Sequence, residues 1–261
     1  IERHDYPPVL RDLMGELCAA AVLLAATLKL KGSMVLQIHG KGAVKLLVVE
    51  CSGDLELRAT AKWEGDLAQG KLQDLVGDGR FVITLDPKDG NQVYQGIVDL
   101  EGESIAEILQ NYMTRSEQLE TRLWLAADAQ HAAGMLLQKL PEQGEVPDVE
   151  PWENAVQIAH TLKPEELLNV SSAELVHLLY HEADIRLFDA QVVLFRCSCS
   201  RDNVARMLRM LGRAEVDAIL FERGEIEVHC EFCNQRYVFD RVDADAVFAD
   251  IMALAANKTL H

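Results

Sequence analysis

The residues best suited to chemistry in this sequence are four cysteines near its C-terminal end. Cys197 and Cys199 form a C-x-C pair, and Cys230 and Cys233 form a C-x2-C pair about 30 residues later. Two thiolates this close in sequence can reach one cation, and a second pair completes a tetrahedron around it. Thiolates also suit iron, but zinc is the commoner occupant of a closed four-thiolate site. The spacing therefore predicts a four-cysteine zinc site, with one Zn2+ per reduced chain.

The cysteine distribution also favours a reducing compartment, and we expect the protein to be cytoplasmic. A secreted disulfide framework would spread its cysteines through a short chain. The other two cysteines, Cys18 and Cys51, lie in an apolar run and at the end of a strand-like run, so we expect both to be buried as small apolar residues. His229 precedes Cys230, but four cysteines already complete the ligand set, and we expect His229 to lie outside it.

The C-x-C pair departs from the C-x2-C spacing of an ordinary structural zinc ribbon. In extended backbone the Cα atoms of Cys197 and Cys199 would be about 6.6 Å apart. A disulfide needs about 4.4–6.8 Å, so a bond here is allowed but strained, and strained disulfides are the labile ones. The sequence thus allows a reversible switch between a reduced state with zinc and an oxidised state with local disulfides and no zinc.

Loss of the metal should have a large structural effect. Zinc contributes about 10–16 kcal/mol of apparent binding free energy in small zinc peptides at neutral pH. A module of roughly 45 residues has little core of its own, so metal removal should unfold it. Zinc would then act as a latch on a larger conformational change.

The elements around these cysteines predict an α+β fold with an antiparallel-sheet core domain, packed helices and a helical linker. An N-terminal helix begins at Pro7-Pro8, contains a buried apolar run over 17–28, and ends at Gly32. A second helix is predicted over 103–112. Closely spaced runs joined by short Gly/Asp turns predict an antiparallel meander, at Met34–His39, Ala43–Glu50, Leu55–Lys62, Phe81–Asp86 and Val93–Leu100, with two further strands at Thr121–Ala127 and Ala133–Leu140. These elements define a core domain over residues 1–140.

A composition shift marks a linker after the core domain. Residues 141–153 contain three prolines and five acidic residues but no basic residue. The alternative is an acidic loop within one domain. We predict a linker region over 141–195, with helices across 152–182 and short strands at 185–188 and 192–195, and a zinc module over 196–261 that ends in a helix at 245–255. The linker helices carry an apolar face, for which the core domain is the nearest cover: Leu162, Leu167, Leu168, Leu175, Leu178 and Leu179.

Several classes of function are disfavoured. The chain has 25 basic and 42 acidic residues, a net charge of −17, which argues against a nucleic-acid partner. No phosphate-binding glycine loop is present, so we expect no ATP, and no residue pattern indicates catalysis. The longest nearly apolar run, of about 12 residues, is shorter than the ~20 that a membrane helix needs. A structural zinc ribbon that binds nucleic acid and a thiol-disulfide oxidoreductase remain as alternatives.

Motifs along nearly the whole chain resemble one known family. They include Asp5-Tyr6-Pro7, Leu75-Val76-Gly77-Asp78-Gly79, Tyr94-Gln95-Gly96, Arg115-Ser116-Glu117-Gln118-Leu119, Gly134-Met135-Leu136-Leu137-Gln138, Tyr180-His181-Glu182, Cys197-Ser198-Cys199-Ser200-Arg201 and His229-Cys230-Glu231-Phe232-Cys233. In combination they resemble the thirty-three-kilodalton heat-shock protein family, redox-regulated bacterial holdase chaperones that respond to oxidative stress. That family has a longer N-terminal stretch than this sequence shows.

The resemblance implies a function and a set of site residues. The reduced protein would bind zinc through Cys197, Cys199, Cys230 and Cys233 and be inactive. Oxidation would form a Cys197–Cys199 and a Cys230–Cys233 disulfide and release zinc, and the linker would lose stability. The protein would then dimerise and hold unfolded or oxidatively damaged client proteins without ATP. It would not be an enzyme.

Overall fold

The structure is a computed structural model, and it describes residues 3–28, 30–87, 92–140 and 149–258. The chain divides into two compact units, Ile1–Arg196 and Cys197–His261. In chain order the elements of the first unit are α1 Pro8–Leu28, β1 Gly32–Gly40, β2 Val44–Ser52, β3 Glu56–Trp63, α2 Leu72–Val76, β4 Gly79–Pro87, β5 Tyr94–Asp99, α3 Ile105–Arg115, β6 Thr121–Ala127, β7 Ala132–Gln138, α4 Val149–Ala159, α5 Pro164–Asn169, α6 Ser172–Tyr180 and β8 Leu194–Phe195.

A six-stranded sheet in the order β5-β4-β1-β2-β3-β8 forms the centre of the first unit. The α+β class and the antiparallel sheet are confirmed, but a simple meander is wrong. Strands β1, β2 and β3 are sequential neighbours, whereas β4 returns to the far side of β1, where Gln37 lies opposite Val82. The segment between β3 and β4 contains α2, a helix that the sequence analysis did not predict. This longer connection carries the chain across the sheet.

Helix α1 packs its apolar side into the core of the first unit. Leu10, Met14 and Leu17 are fully buried, in one cluster with Met34 and Leu36 of β1. The predicted core helix is therefore confirmed, although it ends at Leu28 and not at Gly32.

A glycine permits one close approach of α1 to the β6–β7 hairpin. A Cβ at Gly15 would lie 2.6 Å from the Cβ of Ala127 at the end of β6, closer than two carbon atoms can pack. Gly15 thus allows this helix to lie directly on the hairpin.

The linker helices pack on the two-stranded sheet formed by β6 and β7. Leu167 of α5 and Leu175 of α6 are buried in a cluster with Ala126. The remaining members of this cluster are partly buried: Trp124, Ala133, Met135, Leu162, Leu168, Val170 and Leu179. Most of the predicted apolar face therefore contacts the core domain.

Leu178 is the exception to the predicted apolar face, because 59% of it is exposed. On a helix with 100° between residues, Leu178 lies about 80° from the direction midway between Leu175 and Leu179. It therefore lies on the flank of α6 and not on its buried side. With nine residues, α6 is too short for its apolar spacing to show which leucines lie on the buried side and which lie on the flank.

Two strands predicted late in the linker are largely absent. Residues 185–188 have no regular structure, and of 192–195 only Leu194 and Phe195 form a strand, β8. The apolar residues of this stretch are mostly exposed, with Phe188 at 79%. Their sequence has the composition of strands, but within residues 185–195 the strand pairing is limited to Leu194 and Phe195, which lie opposite the start of β3. Residues 141–148 of the predicted linker lie outside the described residues.

The second unit contains α7 Arg201–Leu211, α8 Arg213–Arg223, β9 Ile226–His229, β10 Arg236–Phe239 and α9 Arg241–Lys258. A small core joins Leu208, Val216, Leu220 and Phe239. The terminal helix, predicted over 245–255, is confirmed but begins earlier. Helices α7 and α8 were not predicted. Within the described residues no helix is long and apolar enough to cross a membrane.

Candidate metal centre

Cys197 and Cys199 lie just before α7, in a segment held by the cap of that helix. The Ser200 hydroxyl accepts a hydrogen bond from the Asn203 backbone N–H at 3.1 Å, as expected of an N-cap serine. The Asn203 side-chain amide donates to the carbonyl of Ser198 at 2.8 Å. Asn203 thereby ties the residue between the two cysteines to the first turn of α7.

Cys230 and Cys233 lie in the tight connection between β9 and β10. The Cys230 N–H donates to the carbonyl of Gln235 at 3.0 Å, and the Asn234 N–H donates to the carbonyl of Cys230 at 2.8 Å. Asn234 has a φ of 56°, a left-handed conformation that asparagine tolerates better than most residues. The turn brings the two thiols of the C-x2-C pair to the same side.

The four thiols form one compact group. All four Sγ atoms lie within 4.8 Å of one another. Two contacts join the C-x-C pair to the C-x2-C pair, with Cys197 Sγ 3.6 Å from Cys230 Sγ and Cys199 Sγ 3.3 Å from Cys233 Sγ. Sulfurs bound to one zinc ion lie about 3.8 Å apart. This donor set can therefore hold a metal ion, and its chemistry and spacing fit zinc.

The surroundings of the cluster affect its protonation. Burial, reinforced by the neighbouring thiols, raises the pKa of Cys233 to about 12. The Tyr237 hydroxyl donates to Cys199 Sγ at 3.2 Å, and this bond raises the pKa of Tyr237 to about 12. The raised pKa means that the Cys233 thiol holds its proton until a cation offsets the charge of its thiolate.

His229 makes contacts on both sides of its ring. Its Nε2 lies 2.6 Å from Glu227 Oε1 and its Nδ1 lies 3.2 Å from Asn234 Oδ1. Arg236 also contacts Glu227, at 2.6 Å, and together Arg236 and His229 lower the pKa of Glu227 to about 2. The ring of His229 therefore belongs to a polar network on the β9–β10 hairpin, beside the thiols.

Cys18 and Cys51 lie in the core of the first unit, as predicted. Cys18 is 7% exposed and Cys51 is fully buried. Burial raises the pKa of Cys18 to about 12 and that of Cys51 to about 11. Thiols with such pKa values react slowly with oxidants, because the thiolate is the reactive form.

Three supporting residues, Asn203, Asn234 and Tyr237, were not identified from the sequence. Only the Ser200 cap carries a recognisable signal, a serine directly before a helical pattern. The contacts of Tyr237 and Asn203 reach from β10 and α7 to the irregular segment before α7, so spacing within one element does not reveal them.

Comparison with known proteins decides the family. The model of the Hsp33 protein family matches residues 1–240. This chain belongs to the Hsp33 chaperone family. The 33 kDa chaperonin of Methylobacillus flagellatus is 53% identical over 262 residues, which cover all of this chain and 89% of that protein. The 33 kDa chaperonin of Chromobacterium violaceum is 50% identical over 264 residues, with the same coverage.

The fold agrees with this assignment. The crystal structure of the Thermotoga maritima 33 kDa chaperonin matches with a TM-score of 0.82 at 20% identity, covering 97% of this chain and 89% of that one. The Hsp33 relatives are named as chaperonins and not as enzymes, which agrees with a role other than catalysis. The resemblance identified from the motifs is thereby confirmed.

Proposed function

We propose that this Hsp33 family member is a cytoplasmic, redox-regulated holdase that works without ATP. In the proposal it is inactive when reduced, with one Zn2+ on Cys197, Cys199, Cys230 and Cys233. The observation that supports it is the grouping of these four thiols within 4.8 Å of one another. When bound, zinc would stabilise the four thiolates and cross-link the segment before α7 to the β9–β10 hairpin.

The proposed switch is the oxidation of the thiols in pairs. Each pair of thiolates gives up two electrons and forms one S–S bond. Hydrogen peroxide accepts the two electrons, takes up two protons from the solvent and becomes two molecules of water, so each disulfide consumes one peroxide molecule. We propose the pairs Cys197–Cys199 and Cys230–Cys233. The short separations between the pairs make Cys197–Cys230 and Cys199–Cys233 the competing outcome.

Oxidation removes the ligands that tie the second unit together. The remaining core of that unit is small, with nine buried residues among those described. We therefore propose that the unit loses order when its thiols are oxidised. Because β8 ends at Phe195, only one residue before Cys197, the loss of order begins next to the end of the linker.

The client-binding surface in this proposal includes the contact between the linker helices and β6–β7. Helix α5 has six residues and α6 has nine, and helices this short are unstable alone in water. Undocking would expose Leu167 and Leu175 together with Trp124 and Met135 of the hairpin. Unfolded or oxidatively damaged proteins would bind there, with the active protein as a homodimer.

The test compares the reduced, zinc-loaded protein with the peroxide-oxidised protein in one assay. We expect only the oxidised form to suppress aggregation of a thermally unfolding client, and reduction with zinc to reverse this. Disulfide mapping by mass spectrometry should find the two local pairs, and size-exclusion chromatography should find a dimer. Equal suppression in both states would contradict redox control. No suppression in either state would contradict the holdase function itself.

A further inference from the structure

One edge of the six-stranded sheet is covered by a very short strand of the same chain. Strand β8 pairs in parallel with the start of β3, with Leu194 opposite Glu56 and Phe195 opposite Leu57. The Leu194 N–H donates to the carbonyl of Leu55, and the Arg196 N–H donates to the carbonyl of Leu57, each at 3.1 Å. An uncovered edge would present these carbonyls to another extended chain.

The covering segment is held mainly by its backbone. Val192, Val193, Leu194 and Phe195 all remain exposed, between 44% and 72%. β-Branched and aromatic residues of this kind favour extended structure. The segment thus contacts the edge as a short apolar strand with little burial of its own side chains.

An apolar cavity lies beside this edge. It has a volume of about 390 Å³, and Val193 and Leu57 line it together with Val22, Met135 and Leu175. A main-chain edge next to a pocket for an apolar side chain is the arrangement by which sheets bind extended peptides. Main-chain hydrogen bonds to the sheet edge depend little on the sequence of the bound peptide, whereas the pocket selects an apolar side chain.

Charged side chains also contact the end of the covering segment and favour a basic residue there. The Arg196 guanidinium pairs with Glu56 of β3. The Arg3 guanidinium lies 5.0 Å from the centre of the Phe195 ring, within the range of a cation–π contact. The edge thereby fits an extended apolar segment followed by a basic residue.

We propose that the start of β3, with the adjacent cavity, is a strand-addition site for extended apolar segments of unfolding proteins. Residues 192–196 occupy this site in the structure and block it. This inference rests on the proposed holdase function and adds a second client surface, at the edge of the six-stranded sheet, which adjoins the β6–β7 hairpin because Met135 lines its cavity. Cys197 follows Arg196 directly, so loss of order in the second unit removes the anchor at one end of the blocking segment.

The test uses a labelled peptide with the sequence of residues 191–196, Gln-Val-Val-Leu-Phe-Arg, and the full chain. Fluorescence anisotropy should show binding to the oxidised protein about tenfold tighter than to the reduced, zinc-loaded protein. A matched peptide methylated on the backbone nitrogens of its Leu and Arg keeps every side chain but loses both donors. We expect it to bind about tenfold more weakly, because two hydrogen bonds are lost.

A substitution in the protein tests the preference of the site for a basic residue. Glu56→Gln should weaken the Arg-containing peptide about two- to fivefold, as expected of an exposed ion pair, and the effect should fade in high salt. A peptide with Gln in place of Arg should bind the variant and the original protein equally well. A Glu56→Gln effect of the same size on both peptides would contradict the assigned contact.

Client aggregation measured on the same samples separates this inference from the holdase function. If the oxidised protein suppresses aggregation but binds the methylated and unmethylated peptides equally, the strand site is wrong and the holdase function stands. Equal binding of the peptide by reduced and oxidised protein would contradict the blocking role of residues 192–196. Suppose that peptide binding depends on the peptide's backbone N–H donors, but neither the reduced nor the oxidised protein suppresses client aggregation. The strand site then stands and the holdase function is wrong.

Discussion

Substituting Leu167 by Glu should activate the reduced protein without any oxidation. Leu167 is 7% exposed and packs in the cluster that joins α5 to the β6–β7 hairpin. Removing a buried leucine costs about 2–3 kcal/mol of apolar burial, and a buried unpaired carboxylate adds to this cost. A change of this size shifts the docked-to-undocked ratio by about 30-fold or more. Since α5 and α6 are too short to be stable alone, even part of this cost should undock them.

The structure provides a matched control for this substitution on the neighbouring helix. Leu178→Glu introduces the same charge at a residue that is 59% exposed, so it should leave the docked helices in place. The assay is suppression of client aggregation by the reduced proteins, with zinc content measured by a chromogenic chelator. We expect activity from Leu167→Glu, none from Leu178→Glu, and one zinc per chain in both.

Hydrogen exchange across residues 164–180 identifies the result that would refute this reasoning. If Leu167→Glu releases α5 and α6 but the reduced protein stays inactive, linker undocking does not expose the client site. Equal activation by Leu178→Glu would show that added charge, and not undocking, causes the effect.

Three further outcomes are expected. Replacing both Cys18 and Cys51 by Ala should leave peroxide activation and zinc binding unchanged, because both thiols are buried with raised pKa values; loss of activation in a folded variant would show that they take part in the switch. Burial and the nearby Asp12 raise the pKa of Glu16 to about 7, above its unfolded value of 4.5, so native stability should fall as pH rises from about 4.5 to 7. In denaturant unfolding, the Glu16→Gln variant should therefore have a free energy of unfolding about 1–3 kcal/mol higher than the original protein at pH 8, and the same value near pH 4.5. A difference between the two proteins that stays constant across that pH range would contradict the cause. Zinc affinity, measured by competition with a chelator, should fall as pH drops, because thiolates must be deprotonated to bind; a flat profile would argue against four thiolate ligands.

Local pattern was sufficient to predict many of the elements. The strand over Thr121–Ala127 was predicted with the same bounds that the structure has, since it contains a short continuous apolar run that ends before Asp128. The position of β4 beside β1 was not predictable in this way, because strand patterns do not show which edge of a sheet a later hairpin will join. The grouping of the four cysteines was anticipated from their spacing, since both pairs lie in short connections.

Long-range contacts were the part that sequence reasoning missed. The hydrogen bond from Tyr237 to Cys199 joins β10 to the segment before α7, 38 residues away in sequence, and neither residue has a pattern that indicates it. The exposure of Leu178 depends on which side of a short helix meets the hairpin. The pairing of β8 with β3 joins segments far apart in sequence, so the apolar residues 192–195 predicted a strand but not its partner.

The central claim is that oxidation of the four clustered thiols controls client binding. The most direct test is a single time course after peroxide addition that records disulfide formation, released zinc and suppression of client aggregation in the same sample. We expect suppression to appear together with two disulfides and one released zinc per chain. Full suppression before any disulfide forms, or two disulfides and complete zinc release without suppression, would contradict the account.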